Sequence, residues 1–201
     1  MGLDLAGVPK NPSGVALLRG HTLRTSLVYE DQEIEELCKW ERVKLLAVDA
    51  PLSLPDRGSL RPSDLLLIRM GFRVFPPTFS GMRSLTLRGI SLKHELGRRG
   101  IEVIEVHPRT SGRILFGTPC REEWAMVLAR KGWVVRGGMG VHELDACVSA
   151  LTGLLHLKGK TVEVGEKGGK ITLPATSWVP CPEARACTDW KLPPPLPWRP
   201  L

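Results

Sequence analysis

The sequence lacks a Cys-x-x-Cys pair, a long apolar run and an internal repeat, and each absence removes a class of protein. Its five cysteines stand at 38, 120, 147, 181 and 187. Cys181 and Cys187 have neither a second pair nor a nearby histidine, which argues against a zinc site. An odd cysteine count without paired spacing suits reduced thiols, so a cytoplasmic protein is expected. No stretch approaches the ~20 apolar residues that span a bilayer, so no membrane association is expected. Met1 lies directly against the first apolar run, so no signal segment is expected. Without repeats, 201 residues read as one domain large enough to bury a core.

Apolar residues make up 42% of the chain and charged residues 24%, an ordinary balance for a globular protein. The net charge of +7 favours polyanionic partners such as nucleic acid without specifying one. From Pro174 the composition shifts to Pro193-Pro194-Pro195, Pro197 and Pro200 with Trp178, Trp190 and Trp198. Residues 174–201 therefore read as an extended or disordered tail, with tryptophans that offer a docking element for the domain or a partner.

Gly2-Leu3-Asp4-Leu5-Ala6-Gly7 and Ser13-Gly14-Val15-Ala16-Leu17-Leu18 flank Val8-Pro9-Lys10-Asn11-Pro12, whose turn chemistry makes the pair a β-hairpin. Asp4 sits in the middle of an apolar strand, where a carboxylate is costly unless paired. Alone it reads as a turn cap; with partners it reads as a cation ligand. A third strand, Arg24 to Tyr29, precedes a short helix from about Gln32 to Arg42. Leu45-Leu46-Ala47-Val48-Asp49 is a continuous apolar run ending in a carboxylate, as in a parallel strand buried on both faces. Ligands of open α/β sheets gather at such carboxyl ends, and Asp49 stands there.

Residues 51–80 are rich in Pro, Ser and Arg, with a short helical piece around Ser63 to Met70. A connection of this length is usually functional or mobile. Arg57, Arg61, Arg69 and Arg73 lie in it around Asp64, and local ion pairing and substrate contact both stay open. A helical stripe from Met82 to Leu96 stops at Gly100, and Ile101 to Val106 forms another strand closed by His107-Pro108. A loop with Arg109, Arg113 and Gly117 leads to a helix from about Arg121 to Lys131. Trp133-Val134-Val135 is brief.

Val141 to Leu157 carries an apolar face, a small-residue face (Ala146, Ala150, Gly153) and a polar stripe (His142, Asp145, Ser149, Thr152, His156) between them. His142 and Asp145, three apart, share one side. Thr161 to Val164 and Lys170 to Leu173 flank a Gly-rich turn and read as a terminal hairpin.

The element order, with Asp4 and Asp49 on strands and Asp145 on the last long helix, resembles the ribonuclease H fold. That fold implies a mixed five-stranded sheet with helices on both faces. Its first and fourth strands are neighbours and its last helix crosses their ends, so the three aspartates would converge. The first hairpin and His142-Glu143-Leu144-Asp145-Ala146 are similar to RuvC-type Holliday-junction resolvases, though Asp49 stands where those carry Glu. More closely, five motifs in order resemble domain-of-unknown-function family 429, described as predicted nucleases. They are Asp4-Leu5-Ala6-Gly7, Val48-Asp49-Ala50-Pro51-Leu52, the run from Met82 ending Leu85-Thr86-Leu87-Arg88-Gly89, Val103-Ile104-Glu105-Val106-His107-Pro108 and His142 to Ala146. The likeness covers residues 1–173.

The resemblance implies a metal-dependent nuclease acting on DNA or RNA through Mg²⁺ or Mn²⁺. Asp4 would be the shared ligand, Asp49 and Asp145 would complete the ions, and His142 would be a ligand or proton shuttle. Glu105 and His107 would stand behind the ligands, and Arg61, Arg69 and Lys93 would meet phosphate. A homodimer is a further expectation. Two other classes stay open: a ribonuclease H-fold module that binds without catalysis, and an actin-like ATPase, against which a single copy of the fold argues.

Overall fold

β1 (Gly2–Asp4) turns back into β2 (Ser13–Arg19), and β3 (Thr22–Val28) pairs antiparallel with β2 in turn. α1 (Asp31–Trp40) is closed at its start by Glu33, which accepts the Glu30 amide at 2.9 Å. β4 (Leu45–Asp49) is the continuous apolar run, and it pairs parallel with β1. α2 (Pro62–Arg69) starts on a proline, whose missing N–H has no partner to lose there. Then come α3 (Ser80–Arg98), β5 (Glu102–Glu105), α4 (Pro108–Phe116), α5 (Arg121–Arg130), β6 (Val134–Arg136) and α6 (Val141–Leu157). β7 (Thr161–Val164) and β8 (Ile171–Pro174) pair antiparallel as a separate two-stranded sheet. This computed structural model describes residues 1–166 and 169–175. The tail expected from Pro174 lies, beyond Ala175, outside the described residues.

The main sheet is mixed and has six strands in the order β5-β4-β1-β2-β3-β6. Two expectations are corrected here. The sheet gains a sixth strand because Val134 to Arg136 pairs parallel with Thr22 to Arg24. Residues 108–116, expected as a loop, form α4, because Pro108 suits a first helical position and Leu115 packs into the core.

Alternation along the strands divides the core between two faces. Leu3, Val15, Val28, Leu46 and Val48 pack with Ile34 and Cys38 of α1 and with Leu92 and Leu96 of α3. Ala16 and Leu23 pack with Leu115 of α4, Trp124 and Leu128 of α5 and the apolar face of α6. Each buried aliphatic side chain contributes roughly 1.5–3 kcal/mol. Among the described residues no helix is long and apolar enough to cross a membrane.

α6 lies closest to the strands. A Cβ on Gly2 would overlap the Ala146 carbonyl oxygen and the Ala150 amide, and one on Gly14 would overlap the His142 carbonyl. Near the other end of the helix, a Cβ on Gly153 would lie 2.8 Å from Leu45 Cδ2, the tip of a flexible side chain. These contacts predict a graded result. Gly14→Ala meets backbone that has nowhere to go and should cost about 3 kcal/mol or more, at the upper end of overpacking penalties. Gly153→Ala should cost far less than Gly14→Ala, since ~1 kcal/mol of helix propensity offsets a shift of the Leu45 tip and a tight 3.3 Å approach to the Ala47 Cβ. Urea midpoints of the two variants check this.

Candidate metal centre

Asp4 and Asp49 end their strands side by side. In the parallel pairing Asp4 is the register partner of Asp49, so the ladder itself holds the two carboxylates together at the carboxyl edge. Asp4 faces the same side as Gly2, toward α6, and the absence of side chains at Gly2 and Gly14 lets that helix descend onto them. His142 and Asp145, one turn apart, then arrive over Asp4. The carboxylates of Asp4, Asp49 and Asp145 each offer an oxygen within 4.8 Å of the others.

His142 Nδ1 lies 2.7 Å from Asp4 Oδ2, with the imidazole about half exposed. Asp145 is almost fully buried and pairs with Arg121, whose Nε donates to Oδ1 at 2.8 Å and whose Nη2 donates to Oδ2. Asp49 accepts no hydrogen bond among the described residues. Two unit charges at 4.8 Å repel by about 3.5 kcal/mol at an effective dielectric of 20. Burial pushes the Asp145 carboxyl up to about 6, against the pull of Arg121. Burial also raises Asp4, opposed by His142. Asp49 is raised well above the carboxylate range, first by burial and then by Asp4 and Asp145. The cluster is short of positive charge, and Asp49 most of all.

The loops after the two strands are braced by α3. Arg88 donates to the Ala6 carbonyl at 2.7 Å, the Tyr29 carbonyl at 2.6 Å and Asp31 at 2.7 Å. A Cβ on Gly89 would lie 3.0 Å from the Pro51 carbonyl. The Leu85 to Gly89 motif thus touches the chain just beyond both aspartates.

Other site expectations fall elsewhere. Arg61, expected on phosphate, is 1% exposed. It donates to Glu105 at 2.6 and 2.7 Å and to Asp64 at 2.7 and 3.0 Å, so its guanidinium is unavailable and that expectation is corrected. Burial alone would lower the Arg61 pKa, but the hydrogen bonds to Glu105 and Asp64 outweigh it and keep the group charged. Glu105 also accepts the Leu52 amide at 2.8 Å and so anchors the chain after β4. His107 sits at the start of α4, with Nδ1 2.7 Å from Thr110 Oγ1, and burial lowers it to about 4. Lys93 lines, with Glu102, Glu163 and Lys170, a groove of about 390 Å³ that none of the three aspartates lines. Arg69 is exposed at the end of α2.

Sequence reasoning missed Arg121. It opens α5 and meets Asp145 across 24 positions, a separation that leaves no periodic trace. No family model, curated protein or solved structure matches the chain.

The placement of Arg61 has a direct test. Arg61→Met leaves Glu105 and Asp64 buried without a counter-charge and should cost about 3–5 kcal/mol. Arg69→Ala, on the surface, should stay within about 0.5 kcal/mol. Denaturant unfolding of both variants measures the contrast.

Proposed function

We propose that this chain is a metal-dependent phosphodiester hydrolase, a nuclease, built on a ribonuclease H-like domain. The observation that carries the reading is the convergence of Asp4, Asp49 and Asp145 with one carboxylate, Asp49, accepting no hydrogen bond among the described residues. The order β5-β4-β1-β2-β3 supports the ribonuclease H likeness, because β1 runs antiparallel to β2 and parallel to β4. β6 is an addition at the far edge. The five motifs support membership of domain-of-unknown-function family 429.

The donor set fits a hard divalent cation. It offers carboxylate oxygens, which suit Mg²⁺ and Mn²⁺, beside one imidazole. Asp4, between Asp49 and the helix, is the natural shared ligand, with Asp49 and Asp145 on either side. Bound there, Mg²⁺ or Mn²⁺ would polarise a water and offset charge developing on the phosphate. His142 orients the Asp4 carboxylate through Nδ1 and is open enough to pass a proton to solvent. Arg121 donates to both Asp145 oxygens and would compete with a cation for their lone pairs. That same ion pair favours the second reading, a ribonuclease H-fold module that binds without cleaving, in which Arg121 serves as the permanent counter-charge.

Two measurements separate these readings. Asp145 is held at about 6 in the folded chain against an ordinary value of 3.8. The folded state therefore binds its proton more tightly, so this group favours folding as pH falls through that window and disfavours it above. Cation binding needs the deprotonated form. For a nuclease, Mn²⁺ should raise the melting temperature more near about pH 7.5 than near about pH 5; no rise at millimolar Mn²⁺ supports the module. In cleavage assays over single-stranded, duplex and junction DNA and RNA, Asp4→Asn should abolish metal-dependent hydrolysis and leave nucleic-acid affinity intact or improved. His142→Ala should cost less, because water can replace one ligand on a partly hydrated ion. Cleavage that persists in EDTA or in Asp4→Asn would overturn the nuclease reading.

A further inference from the structure

The surface of residues 57–83 is unlike the rest of the chain. Its exposed charges are Arg57, Arg69, Arg73 and Arg83; exposed Asp56 stands directly before Arg57, and the one acid within the stretch, Asp64, is buried against Arg61. Among the arginines stand Phe75 and Phe79, 67% and 58% exposed. They are two of only four phenylalanines in the sequence.

Anchored neighbours hold these rings outward. Phe72 and Val74 pack on Leu67, Ile171 and Leu173, which turns the alternate residues Arg73 and Phe75 to the outside. The Thr86 hydroxyl, within reach of the Met82 carbonyl at 2.9 Å and the Pro77 carbonyl at 3.1 Å, shares its one proton between them and links the segment to α3. Phe79 caps that helix. The surface also adjoins the candidate centre. Ser84 lies against Gly7, and Arg88 holds the Ala6 carbonyl, just beyond Asp4. Phe79 precedes Ser84 by five residues, about 7.5 Å of helix rise.

We propose that this surface binds single-stranded nucleic acid, with bases stacked on Phe75 and Phe79 and phosphates met by the surrounding arginines. Every base has a π-face for an exposed ring, whereas a duplex hides those faces in its own stack. Arg69, Arg73 and Arg83, with no carboxylate between them in sequence, supply the phosphate contacts. The strand would lead over the start of α3 toward Asp4 and Asp49. Only this last step rests on the nuclease reading, whose substrate it narrows to unpaired strands; the binding itself does not.

The test is fluorescence anisotropy with the full chain in EDTA, using labelled oligo-dT, oligo-U and a duplex of equal length. Both single strands, or one of them, should bind more tightly than the duplex, and the two together tell DNA from RNA. Phe75→Ala and Phe79→Ala should each weaken single-strand binding about 10-fold with urea midpoints unchanged. Arg73→Gln should reduce the slope of log affinity against log salt by about 0.7. Phenylalanine variants that bind like the wild type, or a duplex bound as tightly as the single strands, would overturn the proposal. So would a concentration-dependent dimer that Phe75→Ala dissolves, which would make the face a contact between copies of the chain. Mn²⁺ titration of wild type and Asp4→Asn without nucleic acid reports on the cation separately, so failure of one reading is distinguishable from failure of the other.

Discussion

α6 lies against the sheet with so little between them that Gly2 and Gly14 have no room for a Cβ. Most helices stand off a sheet by the depth of interleaved side chains. Here Ala146 and Ala150 meet strand backbone directly, and this determines where everything else on the helix goes. The closeness carries His142 and Asp145 down to the carboxyl ends of β1 and β4. A side chain's depth of separation would put Asp145 out of reach of Asp4 and Asp49. The close packing that stabilises this face also crowds three carboxylates.

The protein treats buried charge in two opposite ways. Around Arg61 every charge is answered: Glu105 and Asp64 accept its guanidinium, and backbone amides of Leu52 and Arg61 complete the network. Such a network is rigid, and it fixes the chain leaving β4. A short distance away the aspartates are left unbalanced, with Arg121 on Asp145, His142 on Asp4 and no donor on Asp49 among the described residues. Buried like charges are unfavourable, and structures that keep them concentrate at functional sites. The contrast between these two clusters sets the candidate site apart from the scaffold more sharply than burial alone does.

Much of this was written locally. β4 announces itself as an apolar run ending in a carboxylate, and α6 runs from Val141 to Leu157 as its periodicity and small-residue face require. The aspartates were legible because each ends or opens such a pattern. α4 was hidden because it is short, buries Thr110 and Ser111, and contains Gly112, needed where the Trp124 ring lies against the helix. Those residue types read as a loop. β6 is three residues long and largely exposed, so alternation had nothing to register. Arg61 was a candidate for phosphate with local pairing to Asp64 left open; its burial was not legible because the second partner, Glu105, stands 44 positions away. Arg121 was invisible for the same reason. Local pattern gives elements; pairing across the fold has to be seen.

The contact between His142 and Asp4 closes a loop of 138 positions. A ribosome-bound chain therefore carries Asp4 and Asp49 long before the helix that completes their company has been synthesised. Without α6, those two carboxylates lack both the third aspartate and the helix that covers them. The β1–β4 ladder already sets Asp4 beside Asp49; seating the helix adds Asp145 and shuts out solvent, which completes the crowding. A cation that favours the finished cluster would act as a latch on maturation, with only part of its site to grip in a half-made chain.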